Sequence, residues 1–203
     1  MQLPSRVCRI FARWLRQIPK LVLAVREMRS YFTSDYYGRE MIPKKSRIPG
    51  FILGLGLGGF ADGIALHQIL QWHNMGSAKL PPVTMDAMKQ NMMWDGWFHV
   101  ATLLLTTNGV YFLLRDALQG ARLPTMRAFT GQLLLGWGVF NFVEGVIDHM
   151  LLELHHVRDM PVHVPLYDWL FLAVGGALLI AVGLLLSKGE DGYETGHVRG
   201  VAY

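Results

Sequence analysis

Among 203 residues there is one cysteine, Cys8. A single thiol excludes an intrachain disulfide, a thiolate zinc site and an iron–sulfur cluster held within the chain. Charge is scarce as well: Asp, Glu, Lys and Arg make up 17% of the residues, against 52% apolar. That apolar load is gathered in four runs, so lipid is the expected solvent. Residues 1–30 lack the unbroken apolar core of a cleavable signal peptide. Neither Lys nor Thr follows the stretch Gly54, Gly56, Gly58, Gly59 and Gly63 as a phosphate loop requires, so these glycines are read as a close-packing surface. No sequence repeat of useful quality stands out. The net charge of +4 lies outside the apolar runs, where it serves topology, and nucleic acid is excluded as a partner.

What is present is helical. Between Val7 and Met28 apolar residues recur on one stripe opposite Arg6, Arg9, Arg13, Arg16, Lys20 and Arg26. This pattern predicts a basic amphipathic helix over residues 1–33, lying in the headgroup plane, with Pro19 as an interruption. Residues 34–48 read as a polar linker, residues 49–187 as a four-span transmembrane domain, and residues 188–203 as a polar tail. The spans are expected over 49–72, 94–114, 129–152 and 165–186, each near the ~20 residues that cross the hydrocarbon. The fold class is therefore all-α, an integral membrane four-helix bundle with an additional interfacial helix.

Sixteen of the 19 Lys and Arg residues fall on the side of the two termini; only Lys79, Lys89 and Arg158 fall on the other. By the positive-inside rule both termini are expected in the cytoplasm and the two sparse loops outside.

Ionisable groups within spans cost roughly 2.5–3.5 kcal/mol each on insertion scales, so they are rare and usually paired, cavity-lining or functional. Here Asp62, His67, Gln71, Asp95, His99, Asn141, Glu144, Asp148 and His149 all fall in the outer halves of their spans. His67 with Gln71, Asp95 with His99 and Glu144 with Asp148 are each four apart and share a helix face. Three helices thus present paired donors towards one cavity, as in metal-binding bundles. The expected ligands are His67, His99, Glu144, Asp148 and His149, with Asp62, Gln71, Asp95 and Asn141 orienting the rings, and His73, His155 and His156 as further candidates. His155 and His156 join them if the third helix continues that far; Asp168, at the mouth of the fourth span, has no ligand role. Carboxylate and imidazole without thiolate suit copper(II), zinc, iron or manganese. Met85, Met88, Met92 and Met93 in the first outer loop are a weaker hint of copper(I), with flexible apolar filler the plainer reading.

The stretches Gly59 to His73, Trp94 to His99 and Gly138 to His149, with His155-His156-Val157-Arg158, resemble the bacterial predicted membrane proteins of domain-of-unknown-function family 2243. The resemblance implies a small four-span protein of the bacterial inner membrane and brings no assigned reaction. Met150 stands where such a protein is expected to carry another His. Three functions fit the residues: a membrane metalloenzyme, a metal carrier or assembly factor for a respiratory copper enzyme, and a metal-free proton-handling or structural subunit. Partners expected beyond the bilayer are another membrane protein or a second copy. Ionisable groups are nearly absent from the inner halves of the spans, which disfavours conduction across the membrane.

Overall fold

A computed structural model describes residues 46–188. The amphipathic helix expected over residues 1–33 lies outside the described residues, as do nearly all of the expected linker and tail. The described residues form four helices and no strand: α1, Ile48–Ile69; α2, Met85–Leu118; α3, Met126–Glu144 continued by Gly145–Leu151; and α4, Pro165–Ser187. Thr84 and Thr125 cap α2 and α3, each side chain accepting from a backbone N–H three residues on, at 3.2 Å. Pro49 and Pro165 occupy the first turns of α1 and α4, where a missing N–H costs nothing. The second helix starts nine residues before the expected Trp94, because the Thr84 cap lets it form ahead of its apolar stretch.

α1, α2 and α4 are long and apolar enough to cross a membrane. α3 is not among them, since Gln132, Asn141, Glu144, Asp148 and His149 interrupt it. Its surroundings account for that polarity. α1 packs against α2 and α3, and α3 packs in turn against α4, so α1 and α3 form a central pair with one helix on each outer side. The apolar stretch of α1 is 50% buried, whereas those of α2 and α4 are 11% and 17% buried. Leu103, Leu104, Tyr111, Leu178 and Leu185 point outward, and the deeply buried side chains include Asp62, His67, His73, Asn91, Asp95, Glu144, His149, His155 and Asp168. A polar interior under an apolar exterior suits lipid as the surrounding solvent.

The two central helices are built alike. Each residue of α3 and its following loop lies 82 positions after a counterpart in α1, and Leu53, Gly54, Gly56, Phe60, Gly63, His67, Leu70 and His73 recur as Leu135, Gly136, Gly138, Phe142, Gly145, His149, Leu152 and His155. This corrects the reading that the chain has no useful repeat. The contacts between the halves are reciprocal, as a two-fold axis requires. A Cβ on Gly54 would strike the Leu133 carbonyl, and one on Gly136 would strike the Phe51 carbonyl, the equivalent atom. Ala78 N donates to Leu154 O at 3.1 Å, and Met160 N donates to Trp72 O at 2.9 Å, which is the same bond seen from the other half. The outer helices follow the pattern: Gly56 meets Thr102 and Thr106 of α2, and Gly138 meets Gly176 and Ile180 of α4. The chain is thus two α-helical hairpins related by a pseudo-two-fold axis running between α1 and α3.

Candidate metal centre

Both central helices widen at the same end. After Asp62, α1 continues as a π-helix over Gly63–Ile69, and after Glu144, α3 does so over Gly145–Leu151. Bonding there steps five residues, as in Leu70 N to Ala65 O at 2.9 Å and Leu152 N to Ile147 O at 2.8 Å, and π-turns of this kind recur at functional sites. The widening sets Asp62 beside His67 and Glu144 beside His149, both pairs five apart: His67 Nε2 lies 3.1 Å from Asp62 Oδ2, and His149 Nε2 lies 3.1 Å from Glu144 Oε1. The chain then leaves each helix through a residue with positive φ, Gln71 at 51° and Glu153 at 50°, and turns His73 and His155 back inward. Both are 0% exposed.

The Nδ1 atoms of these four rings face outward from the cluster. His67 Nδ1 donates to Asp95 Oδ1 at 3.0 Å, and His149 Nδ1 lies 3.3 Å from Asp168 Oδ1. His73 Nδ1 donates to the Val157 carbonyl at 2.9 Å, and His155 Nδ1 donates to the Met75 carbonyl at 3.3 Å, each reaching into the opposite half. The Asp95 and Asp168 carboxylates are themselves held by equivalent amides, Met75 N and Val157 N, both at 2.8 Å. A carbonyl only accepts, so His73 carries its proton on Nδ1 when neutral and turns a bare Nε2 lone pair towards the interior, whereas His155 Nε2 pairs with the Glu144 carboxylate.

One ligand atom from each of His67, His73 and His155 falls within 4.8 Å of the others, and the same holds for Glu144, His149 and His155. His155 Nε2 is 2.9 Å from Glu144 Oε1, and His73 Nε2 is 4.0 Å from Asp62 Oδ2. Several of these atoms have no hydrogen-bond partner despite full burial: Asp62 Oδ1, His67 Nε2, His73 Nε2 and Glu144 Oε2. Burial, with His155 and His67 alongside, holds His73 well below its ordinary titration range. An uncharged ring with a buried, unpaired lone pair is costly unless something accepts that pair. Convergent imidazole nitrogens and carboxylates, with His67, His73 and His155 held from behind by a carboxylate or carbonyl and His149 beside Asp168, are the donor set of a transition-metal site.

The halves differ at the rim. Beside Asp95, Asn74 Nδ2 donates to Oδ2 at 2.6 Å. The counterpart of Asn74 is His156, whose Nδ1 lies 3.4 Å from Asp168 Oδ2, and His163 adds its Nε2 at 3.0 Å from the same oxygen. His156 and His163 stack at 3.9 Å, and with Asp168 they make a third group with metal-ligand spacing. Burial, together with His163, lowers His156 against the pull of Asp168.

The expected ligands divide accordingly. His67, Glu144 and His149 come together with Asp62, and Asp95 stands behind His67 as an orienting partner. His99 does not join them: its Nδ1 is bound back to the Asp95 carbonyl at 2.7 Å, and its ring lies against Gly63, where a Cβ would sit 2.7 Å from Nε2. Asp148, half-buried, lines a cavity of about 290 Å³ with Leu55, Phe98, Val139, Phe140, Val143, Glu144 and Ile147. Gln71 is exposed, and Asn141 donates to the Gly175 carbonyl of α4 at 3.0 Å. His155 and His156 reach their places through a loop, since α3 ends at Leu151. Sequence spacing ranked His73 and His155 low because residues beyond a helix carry no periodicity; the identical interval from His67 to His73 and from His149 to His155 was the available signal. Met85, Met88, Met92 and Met93 are all exposed on α2.

Residues 49–190 match the family described as predicted membrane protein (DUF2243). The chain belongs to this family. No curated protein and no solved structure matches it. Membership places the chain in a lipid bilayer and agrees with the apolar exterior of α2 and α4.

Proposed function

We propose that this family member is a four-span protein of a bacterial inner membrane, with both termini cytoplasmic, whose outward-facing interior binds a divalent transition metal. His67, His73, His149, His155, Asp62 and Glu144 supply the metal-binding donors, and Asp95 and Asp168 orient His67 and His149. His99 and Asp148, paired with site residues in sequence, serve beside the centre. The observation that carries this reading is the His73 ring: Nδ1 is committed to the Val157 carbonyl, and Nε2 is buried without a partner among other ligand-type atoms. With only imidazole and carboxylate donors, the ion is zinc, iron, manganese or copper(II), and copper(I) is disfavoured because Met85, Met88, Met92 and Met93 are exposed.

Of the functions open to such a site, a membrane metalloenzyme fits best. His73 and His155 are fully enclosed, which suits a retained ion. The apolar cavity ending at Glu144 and Asp148 suits a lipid-soluble substrate approaching from within the bilayer. A bound ion there supplies Lewis acidity or redox capacity, and the residues supply position and exclusion of water. The rim group of His156, His163 and Asp168 favours a second reading, a metal-handling protein that exchanges its ion at the surface. Metal analysis of detergent-purified protein prepared without chelator tests the site itself. Wild type should carry near-integral metal, and His73→Ala should lose at least tenfold in affinity. Trace metal in wild type, with no thermal stabilisation by zinc, iron, manganese or copper(II), removes the metal and leaves a proton-handling or structural network.

A further inference from the structure

The repeat bears on how many ions the centre takes. Each half supplies the same short string at the same spacing: a carboxylate, a glycine, a histidine five residues after the carboxylate and a second histidine six further on, Asp62-Gly63, His67 and His73 in one half and Glu144-Gly145, His149 and His155 in the other. The two rings of each half are neighbours, and across the halves His155 comes within ligand spacing of His67 and His73. His67 and His73 have centroids 4.4 Å apart and His149 and His155 are 4.9 Å apart, whereas the cross pairs His67 with His155 and His73 with His149 are 6.0 Å and 6.3 Å apart. The carboxylates divide likewise: Asp62 lies 3.1 Å from His67, and Glu144 lies 3.1 Å from His149 and 2.9 Å from His155. His73 and His155 stack across the axis at 4.5 Å, so they form the seam between the two sets.

We propose that the centre is dinuclear, with one ion held by Asp62, His67 and His73 and a second by Glu144, His149 and His155. This rests on the metal reading above. Two histidines and one carboxylate leave each ion open positions, as in non-haem iron and catalytic zinc sites. Those open positions would be available to water, hydroxide or an atom of a substrate, whose activation is the chemistry such ions would supply. Two ions also fit the positions of the outer rings: a single ion on the axis would draw His67 and His149, each nearer its own half, away from Asp95 and Asp168.

Full-length protein in detergent, loaded with cobalt(II) and freed of excess ion, decides the number. Wild type should hold two cobalt ions per chain, and the conservative variants His67→Gln and His149→Gln should each hold one. Unchanged gel-filtration profiles of both variants establish that they fold, and wild-type stoichiometry stands without them. One ion in wild type, lost entirely in either variant, overturns the dinuclear proposal while keeping the metal site. No ion in wild type overturns the metal reading itself.

Discussion

The two hairpins share a backbone plan and differ in what lies outside it. Where α1 meets α3, several contacts are reciprocal: Gly54 faces Gly136, and His73 and His155 each bond to a carbonyl of the other half. Away from the axis they diverge. The first half has a 34-residue helix in α2, while the second has an interrupted α4 with a π-turn over Phe171–Leu178. Asp95 is braced by Asn74, and Asp168 is surrounded by His149, His156 and His163. Likeness retained at the axis and lost at the edge indicates that the interior of the centre is the shared element, with the surroundings of each half free to specialise.

The largest test of this likeness is at the helix crossing. Gly54→Ala and Gly136→Ala each push a Cβ into the carbonyl of the facing helix, an atom that cannot swing aside. Overpacking costs about 1–3 kcal/mol, and more against rigid backbone. Both variants should therefore lower the unfolding temperature in detergent strongly and by similar amounts. A large drop in one and none in the other would break the two-fold relation.

A smaller effect sharpens the difference between halves. Asp95→Asn and Asp168→Asn each remove the charge behind a site histidine, and loss of such a partner typically costs 10–100-fold in metal affinity. Asp95 should lie at the upper end, because its contact with His67 is an aligned hydrogen bond at 3.0 Å, whereas Asp168 stands 3.3 Å from His149 without that alignment. Competition titration with a chromophoric chelator measures both. Equal losses would show that the rim histidines around Asp168 do not alter its role.

Much of this was legible in the residues. Apolar runs located the four helices, and the position of Asp62, His67, Asp95, Glu144 and His149 within them located the polar end. The helix period then misled: it paired Asp95 with His99, four residues on, whereas the protein pairs Asp95 with His67 across helices and seats His99 against Gly63. It also missed the five-residue pairs, which depend on π-turns that an α-helical period does not anticipate. The repeat escaped notice because Asp62 is matched by Glu144 and Gln71 by Glu153, and because loops of different length put the outer helices out of step. His73 and His155 sit in those loops, where only the fold shows that a positive-φ turn sends them inward.

X-ray absorption at the metal edge of zinc-loaded, full-length protein tests most directly whether these duplicated histidines hold an ion. The account predicts nitrogen and oxygen scatterers at ~2.0–2.1 Å, the multiple-scattering signature of about two imidazoles per zinc, and no sulfur near 2.3 Å. A sulfur-dominated shell, or zinc surrounded by water oxygens with no imidazole signature, would contradict it.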